Sequence, residues 1–519
     1  MHPEIAFVAL FSIATAVALV ARWLKVPYTV ALVVAGLGLG AAHAFEPPHL
    51  TKELLYAVFL PGLIFEAAFA LEFKHFWHNK LAIFSLAIPG LIAAIALTAV
   101  TLIPVANGLH FVDEFTVADG LIFASVIAAT DPIAVVGLFK SLGAPKRLGV
   151  LVEGESLLND GTAVVVFTLV MAFVGGRAFS APVAILDFTR VVGMGVLIGA
   201  TIGYAVSVVI HRVDDAMLEI TLTTIAAYGS FVAAEHFHYS GVIATVTAGM
   251  LCGNHAARTG MSPSTRVAVA TFWEYLAFAL NSIVFLLIGF EVRVEALAAA
   301  WVPIVVAYLC VTAGRAVVIF AVAALLRPTR ERMPFSWATV QVWGGLRGSL
   351  SMVLVLGLPT DFAHRDLLVA MTFGVVILSI LVQGVTMSPL LKRFGLVAHS
   401  KAMDAYDRLR ASLKASRAAL EEIARMEQEA AAGSDTLVEL RATYEARIVS
   451  AEEQIRALRT EAEELREADR RSAERRAIVA EKAALLAAQR TGQIGHEAYD
   501  ALASDVDARL DELGGVHEH

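Results

Sequence analysis

An all-α polytopic membrane protein carrying a helical, water-soluble tail is what this sequence predicts. Hydrophobic residues make up 58% of the 519 residues and charged residues only 17%, against roughly 25% charged in ordinary soluble domains. The two kinds of residue are also segregated. Residues 1–398 are almost continuously apolar, whereas 400–519 are dense in Glu, Arg, Lys, Asp and Ala. A bilayer span needs roughly 20 mostly apolar residues to cross a core of about 30 Å, and the first part divides into stretches of that size.

In chain order the candidate spans lie near 5–21, 28–44, 52–70, 81–104, 117–140, 147–173, 187–210, 216–235, 239–252, 268–290, 298–325, 335–357 and 367–391, thirteen in all. The first is read as a span and not as a signal peptide. Met1-His2-Pro3-Glu4 supplies no basic n-region, and no small-x-small cleavage site leads into a soluble domain. If the N-terminus faces out, the inner loops hold fifteen basic residues: Arg22, Lys25, Lys74, Lys80, Lys140, Lys146, Arg147, Arg212, Arg258, Arg266, Arg327, Arg330, Arg332, Lys392 and Arg393. The outer loops hold five, Lys52, Arg177, Arg190, Arg293 and Arg365. Cytoplasmic loops carry the excess of Lys and Arg, so this alternation predicts a multi-pass protein with its N-terminus outside and its tail in the cytoplasm. Cys252 and Cys310 lie in or beside apolar spans and support neither a disulfide scaffold nor a metal cluster.

The expected division is a transmembrane domain over 1–395 and a cytoplasmic helical regulatory tail over 396–519, with a coiled coil as one form it could take. In the tail, Leu409, Leu413, Ser416, Leu420 and Ile423 form one helical stripe, and Ile448, Ala451, Ile455, Leu458, Ala462 and Leu465 a second. The segment Ala430–Asp435 reads as a turn between them. Two such helices can close as a hairpin or pair with a second subunit. Gln489–Gly495 punctuates the chain again, before a last piece with Leu502, Val506, Leu510 and Leu513. The mixed charge argues against a nucleic-acid arm.

Ionisable residues within apolar spans are costly and mark ion paths or protein interiors. Here they are Glu66, Asp131, Glu153, Glu155, Asp160, Arg315 and Arg347. Glu66 follows a Pro-Gly pair, which suggests an irregular helix; the alternative is a structural hydrogen-bond anchor. Asp131 precedes Pro132, which lacks an N–H and biases its predecessor away from helix. An apolar span broken at mid-membrane exposes carbonyls and half-helix ends, as at the ion sites of secondary transporters. In Glu155-Ser156-Leu157-Leu158-Asn159-Asp160, Glu155 and Asn159 share one helical face, and Ser156 and Asp160 the next. Hard oxygen ligands of this kind suit Na⁺, Li⁺ or K⁺. Glu153 lies nearer the inner boundary, as a surface or gating charge. Arg347, between glycines in Gly344–Gly348, needs a carboxylate, and Glu155 is the preferred partner. Arg315 could hold a broken helix by donating to free carbonyls, or could snorkel.

Thr130-Asp131-Pro132, Asn159-Asp160 after Glu155-Ser156, and Gly344-Gly345-Leu346-Arg347-Gly348 together resemble bacterial sodium/proton antiporters of the monovalent cation:proton antiporter-1 family, relatives of the animal sodium/hydrogen exchangers. The resemblance spans most of 1–395. It implies about 13 transmembrane helices in two inverted repeats, with broken helices crossing in a core domain and a second domain forming a homodimer in the bacterial inner membrane. It also implies that Asp160 is the ion-binding and proton-carrying residue and Asn159 its neighbour. Thr130, Ser156 and Asp131 supply further oxygens, with Glu66 as a looser match, while Glu155 and Arg347 form the core ion pair and Pro132 and Arg315 lend structural support. Asn before Asp160 matches the branch expected to exchange one cation for one proton.

The expected activity is therefore antiport of a monovalent cation, Na⁺ with Li⁺ as a second candidate, against H⁺. A dry cavity favours the protonated carboxyl and a bound cation the carboxylate, so competition at Asp160 couples the flows, and the cycle should be electroneutral. No cofactor is expected beyond the transported cation and H⁺. The partners expected are lipid, a second copy of the chain and a regulatory ligand or protein at the tail, with no nucleic acid. The alternatives are a K⁺/H⁺ antiporter of the same fold, a cation channel, which would need a filter loop not found here, and a membrane sensor or scaffold. No nucleophile–base pair or phosphate loop suggests an enzyme.

Overall fold

A computed structural model describes residues 3–24, 28–42, 55–176, 180–257, 260–291, 294–396, 401–429 and 435–461, with scattered positions beyond 461. Every regular element among them is a helix. The chain divides into two compact units, Met1–Val397 and Ala398–His519.

The first unit begins with α1 (Pro3–Leu24), α2 (Tyr28–Ala41) and α3 (Leu60–Ala70), the last preceded by a wide π turn at Leu55–Phe59. Next come α4 (Phe73–His78), α5 (Lys80–Ser85) and α6 (Leu91–Gly108), the latter two joined by a π turn at Leu86–Gly90. Two short helices follow, α7 (Val117–Val126) and α8 (Ile133–Leu142), then the long α9 (Lys146–Val174), α10 (Ala181–Ile210) and α11 (Ala216–His236). Helix α12 (Gly241–Leu251) ends in a π turn, and α13 (Pro263–Glu291), α14 (Val294–Ala299) and α15 (Trp301–Leu325) lead to a second short pair, α16 (Phe335–Trp343) and α17 (Ser349–Leu356). Helix α18 (Arg365–Leu378) passes through a π turn at Ser379–Gly384 into α19 (Val385–Arg393).

Each of the thirteen apolar windows holds helix, and among the described residues seven stretches are long and apolar enough to cross a bilayer unaided: 80–108, 146–174, 181–210, 216–236, 264–290, 301–325 and 365–393. At about 1.5 Å per residue a 29-residue helix reaches roughly 43 Å, more than the hydrocarbon core. Large apolar side chains on these helices face outward, among them Val100, Leu186 and Leu325, each at least two-thirds exposed. Lipid is the solvent for such a surface. Of the residues that bear on orientation, Lys25, Lys52, Arg177, Arg258 and Arg293 lie outside the described residues.

Small residues let the helices approach. Gly195, Gly199 and Gly203 recur every four residues along α10 and meet Ser240, Ile243, Ala244 and Ala248 of the α12 segment. A side chain at Gly199 would collide with the Ala244 carbonyl, which is the close backbone contact that drives helix association in lipid.

The breaks position the site. Helices α7 and α8 have ten residues each, about 15 Å, so the chain between them lies at mid-membrane. Pro132 caps the start of α8, and the Asp131 Oδ1 accepts from the Ile133 N–H at 3.0 Å. The second break, at Gly344–Gly348, separates α16 from α17. The two breaks touch: the Asp131 N–H donates to the Leu346 carbonyl at 2.8 Å.

In the second unit α20 (Lys401–Glu429) packs on α21 (Asp435–Glu461). Tyr406 and Ile455 are buried together with Leu409, Leu413 and Leu458 against them, and Arg417 meets Glu452 at 2.8 Å. Early residues of one helix facing late residues of the other define an antiparallel pair. The expected turn residues 430–434, the stripe residues Ala462 and Leu465, the punctuation at 490–494, and Leu510 and Leu513 lie outside the described residues.

Candidate functional site

Six segments meet at one cavity of about 230 Å³. Helix α3 contributes Glu66; the first break contributes Thr130, Asp131 and Pro132; α9 contributes Glu153, Ser156 and Asp160; and the second break with the start of α17 contributes Gly348 and Ser349. Lys140 of α8 and Asn281 of α13 complete its polar lining. The cavity is thus bounded by four carboxylates, one ammonium and several neutral oxygens, with Leu60, Leu63, Ile64 and Leu350 between them.

Asp160 is incompletely bonded. Its Oδ1 is buried without a hydrogen-bond partner among the described residues, while the Thr130 backbone N–H points at the carboxylate. Beside it the Ser156 hydroxyl donates to the Thr130 carbonyl, and the Thr130 hydroxyl donates to Ser156 Oγ at 3.3 Å. The i, i+4 relation of Ser156 and Asp160 on α9 places both against the break, as helical geometry requires. A buried carboxylate oxygen without a donor is expensive, and a cation or a proton relieves it.

Asn159 does not line the cavity. Its Nδ2 donates to the Ala128 carbonyl at 3.2 Å and to Thr130 Oγ1 at 3.0 Å. It therefore ties α9 to the unwound segment, and only its neighbour in sequence faces the open space.

The core ion pair differs from expectation. Glu155 pairs with Arg315, not Arg347: Nη1 and Nη2 reach its two oxygens at 2.8 and 2.9 Å. Gln341 Nε2 adds a third bond at 2.7 Å, and Arg315 also donates to the Gln341 carbonyl at 3.1 Å. Arg347 instead donates to the carbonyls of Ala128 at 2.7 Å and Ala129 at 3.3 Å. The reason lies in where each guanidinium starts. Arg347 is part of the second break and faces the first, whose carbonyls have lost their intrahelical donors. Arg315 enters from α15 beneath Gly345, where any Cβ would overlap its guanidinium. Each arginine thereby sits at the C-terminal end of a half-helix, the negative end of its dipole.

Acid sits at the positive ends. Asp131 caps α8 through Ile133 and also abuts Gly348 at the start of α17, where a Cβ would lie 2.5 Å from the Asp131 Cβ. A second, smaller cavity of about 30 Å³ lies beside Glu155, Arg315 and Arg347, lined further by Thr98 and apolar residues of α6, α7 and α15. Sequence reading missed Asn281 and Gln341. Each is a lone amide in an apolar helix, a weak signal beside a charge.

Two half-helices crossing at mid-membrane around a carboxylate-lined cavity define a secondary transporter for a cation. The chain belongs to the sodium/hydrogen exchanger family: the description "Sodium/hydrogen exchanger, transmembrane" matches residues 8–393. It is 36% identical over 401 residues to the Na(+)/H(+) antiporter ApNhaP of Aphanothece halophytica, covering 77% of this chain and 75% of that one. It is likewise 36% identical over 405 residues to the Na(+)/H(+) antiporter NhaH of Halobacillus dabanensis, covering 75% of this chain and 97% of that one. The fold matches the sodium proton antiporter MjNhaP1 of Methanocaldococcus jannaschii with a TM-score of 0.60 at 17% identity, over 77% of this chain and 98% of that one. These relatives are transporters, and this chain is a multi-pass membrane protein of their kind.

Proposed function

We propose that the chain exchanges Na⁺ for H⁺, with Asp160 holding one or the other in turn. The observation that carries this reading is the unpartnered Asp160 oxygen in a cavity it shares with Thr130, Asp131 and Ser156. The neighbouring cations are committed elsewhere, Arg315 to Glu155 and Arg347 to backbone carbonyls. Asp160 is thus an acceptor that neither arginine neutralises. Thr130, Ser156 and Asp131 supply further oxygens, and Glu66 and Glu153 line the route beyond them.

The relatives are named as Na⁺/H⁺ antiporters, which favours Na⁺ over K⁺, although the oxygen ligands suit either ion. Either guest leaves the site with the same charge, so one cation exchanges for one proton and the cycle is electroneutral. The core carrying Asp160 moves relative to a dimer-forming domain, in a homodimer in the bacterial inner membrane with its N-terminus outside. In that orientation Lys140 and Glu153 stand toward the cytoplasm, and the cavity is the inward approach to Asp160. The tail over 396–519 is a separate regulatory element.

The test is exchange by purified protein in proteoliposomes, with Na⁺, Li⁺ and K⁺ supplied separately. Asp160→Asn abolishes cation-dependent proton movement with the protein still folded and inserted. Appreciable exchange in that variant would remove Asp160 from the mechanism, and a preference for K⁺ over Na⁺ would overturn the choice of ion.

A further inference from the structure

Among the described residues that line the cavity, Lys140 is the one cation beside four carboxylates. It projects from α8, the half-helix that follows the first break, and its Nζ lies 4.0 Å from Glu153 Oε1 of α9. Glu66 of α3 lies within electrostatic range of both Lys140 and Glu153. Glu66 and Asp160 line the same cavity as this pair, so an ion that reaches Asp160 through it passes a ring of two carboxylates and one ammonium. The Lys140 side chain is largely exposed whereas Glu153 is mostly covered, so the lysine is a solvated charge at the mouth and the glutamates form the wall.

We propose that Lys140 is a tethered competitor for the transported cation: it occupies the acidic mouth formed by Glu66 and Glu153 and so sets the apparent affinity for the ion. The inference rests on the exchange reading of the cavity and adds the residue that tunes it. A carboxylate-lined mouth concentrates cations by focusing the field. An ammonium covalently held at that mouth subtracts from the focusing, and an arriving Na⁺ must displace it or pass it. Because the lysine is carried by α8, whose start is clamped by Asp131 and Pro132, the competitor is fixed to the half-helix that forms one wall of the site. Its strength is that of an exposed charge pair, small and screened by salt.

The experiment is the Na⁺ dependence of exchange in proteoliposomes at low and at high ionic strength, adjusted with an impermeant salt. Lys140→Gln lowers the apparent KM for Na⁺ by about two- to fivefold at low ionic strength, while Lys140→Arg stays near the parent value. Glu153→Gln raises KM, and both shifts shrink as salt increases. An unchanged or raised KM in Lys140→Gln overturns the proposal, as does a shift that persists undiminished at high salt. Asp160→Asn measured alongside separates the two readings. If it abolishes exchange while Lys140→Gln leaves KM unmoved, the mouth proposal fails alone. If Asp160→Asn still exchanges ions, the site itself has been misread.

Discussion

Glu155 shows what a single side chain must satisfy in this interior. Both its oxygens are used, by Arg315 and by Gln341, so the charge is buried but fully bonded. Removing one partner of such a pair costs about 3–5 kcal/mol, because the other is left charged and alone. Arg315→Ala should therefore lower stability by that amount, read from thermal denaturation of detergent-purified protein. Arg347→Ala strips donors from two carbonyls but leaves Glu155 paired, and should cost about 1–3 kcal/mol. A larger loss for Arg347→Ala than for Arg315→Ala would restore the Glu155–Arg347 pairing that spacing alone suggests. The acids of the cavity were legible in the sequence because a charge in an apolar run is conspicuous. Which arginine reaches Glu155 was not, since that depends on how α15 packs beneath Gly345 and no local pattern encodes it. Asn159 illustrates the same limit: adjacency to Asp160 says nothing about which of the two faces the cavity.

At the scale of elements, the two interrupted helices are the sequence feature that reads best. Thr130-Asp131-Pro132 stops one helix through a missing N–H, and Gly344–Gly348 stops the other through a run of flexible residues. What could not be read is their mutual fit, the Asp131 N–H on the Leu346 carbonyl and Gly348 against the Asp131 Cβ. Gly348→Ala tests that fit. The added methyl meets a Cβ that cannot swing away, and overpacking of this kind costs about 1–3 kcal/mol. Exchange should drop at least about fivefold, whereas Gly38→Ala, whose Cβ would have open space around it, should leave transport unchanged. Equal activity in the two variants would show that the crossing tolerates separation. The π turns were not foreseen either, because one extra residue in a turn leaves the hydrophobic pattern nearly intact.

For the molecule as a whole, competition for one carboxylate dictates how pH and voltage act. As pH falls, protonation removes Asp160 from the cation, so the apparent KM for Na⁺ should rise, by up to about tenfold per pH unit once the proton dominates. An unchanged KM across that range would mean separate sites for the two ions. An imposed membrane potential should leave the initial rate of exchange unaltered, and a rate that follows voltage would exclude one-for-one exchange. Because every cavity residue belongs to the first compact unit, protein lacking 400–519 should keep exchange, with any change confined to its regulation; complete loss in folded protein would give the tail a part in transport. The shift from apolar to charged composition falls near the boundary between the two compact units, while lengths alone could not count the crossings, since the interrupted and shorter helices fall below the size of an unaided span.

The guanidinium of Arg347, at the crossing of the two breaks, is held by peptide oxygens and not by an acid. A guanidinium keeps its proton at any pH a cell meets, and a carbonyl has none to gain, so the contact of Arg347 with Ala128 and Ala129 is indifferent to acid load. Cytoplasmic acidification can therefore evict the cargo while the crossing that frames it stays fastened: the protein senses protons at its passenger seat without the chassis responding.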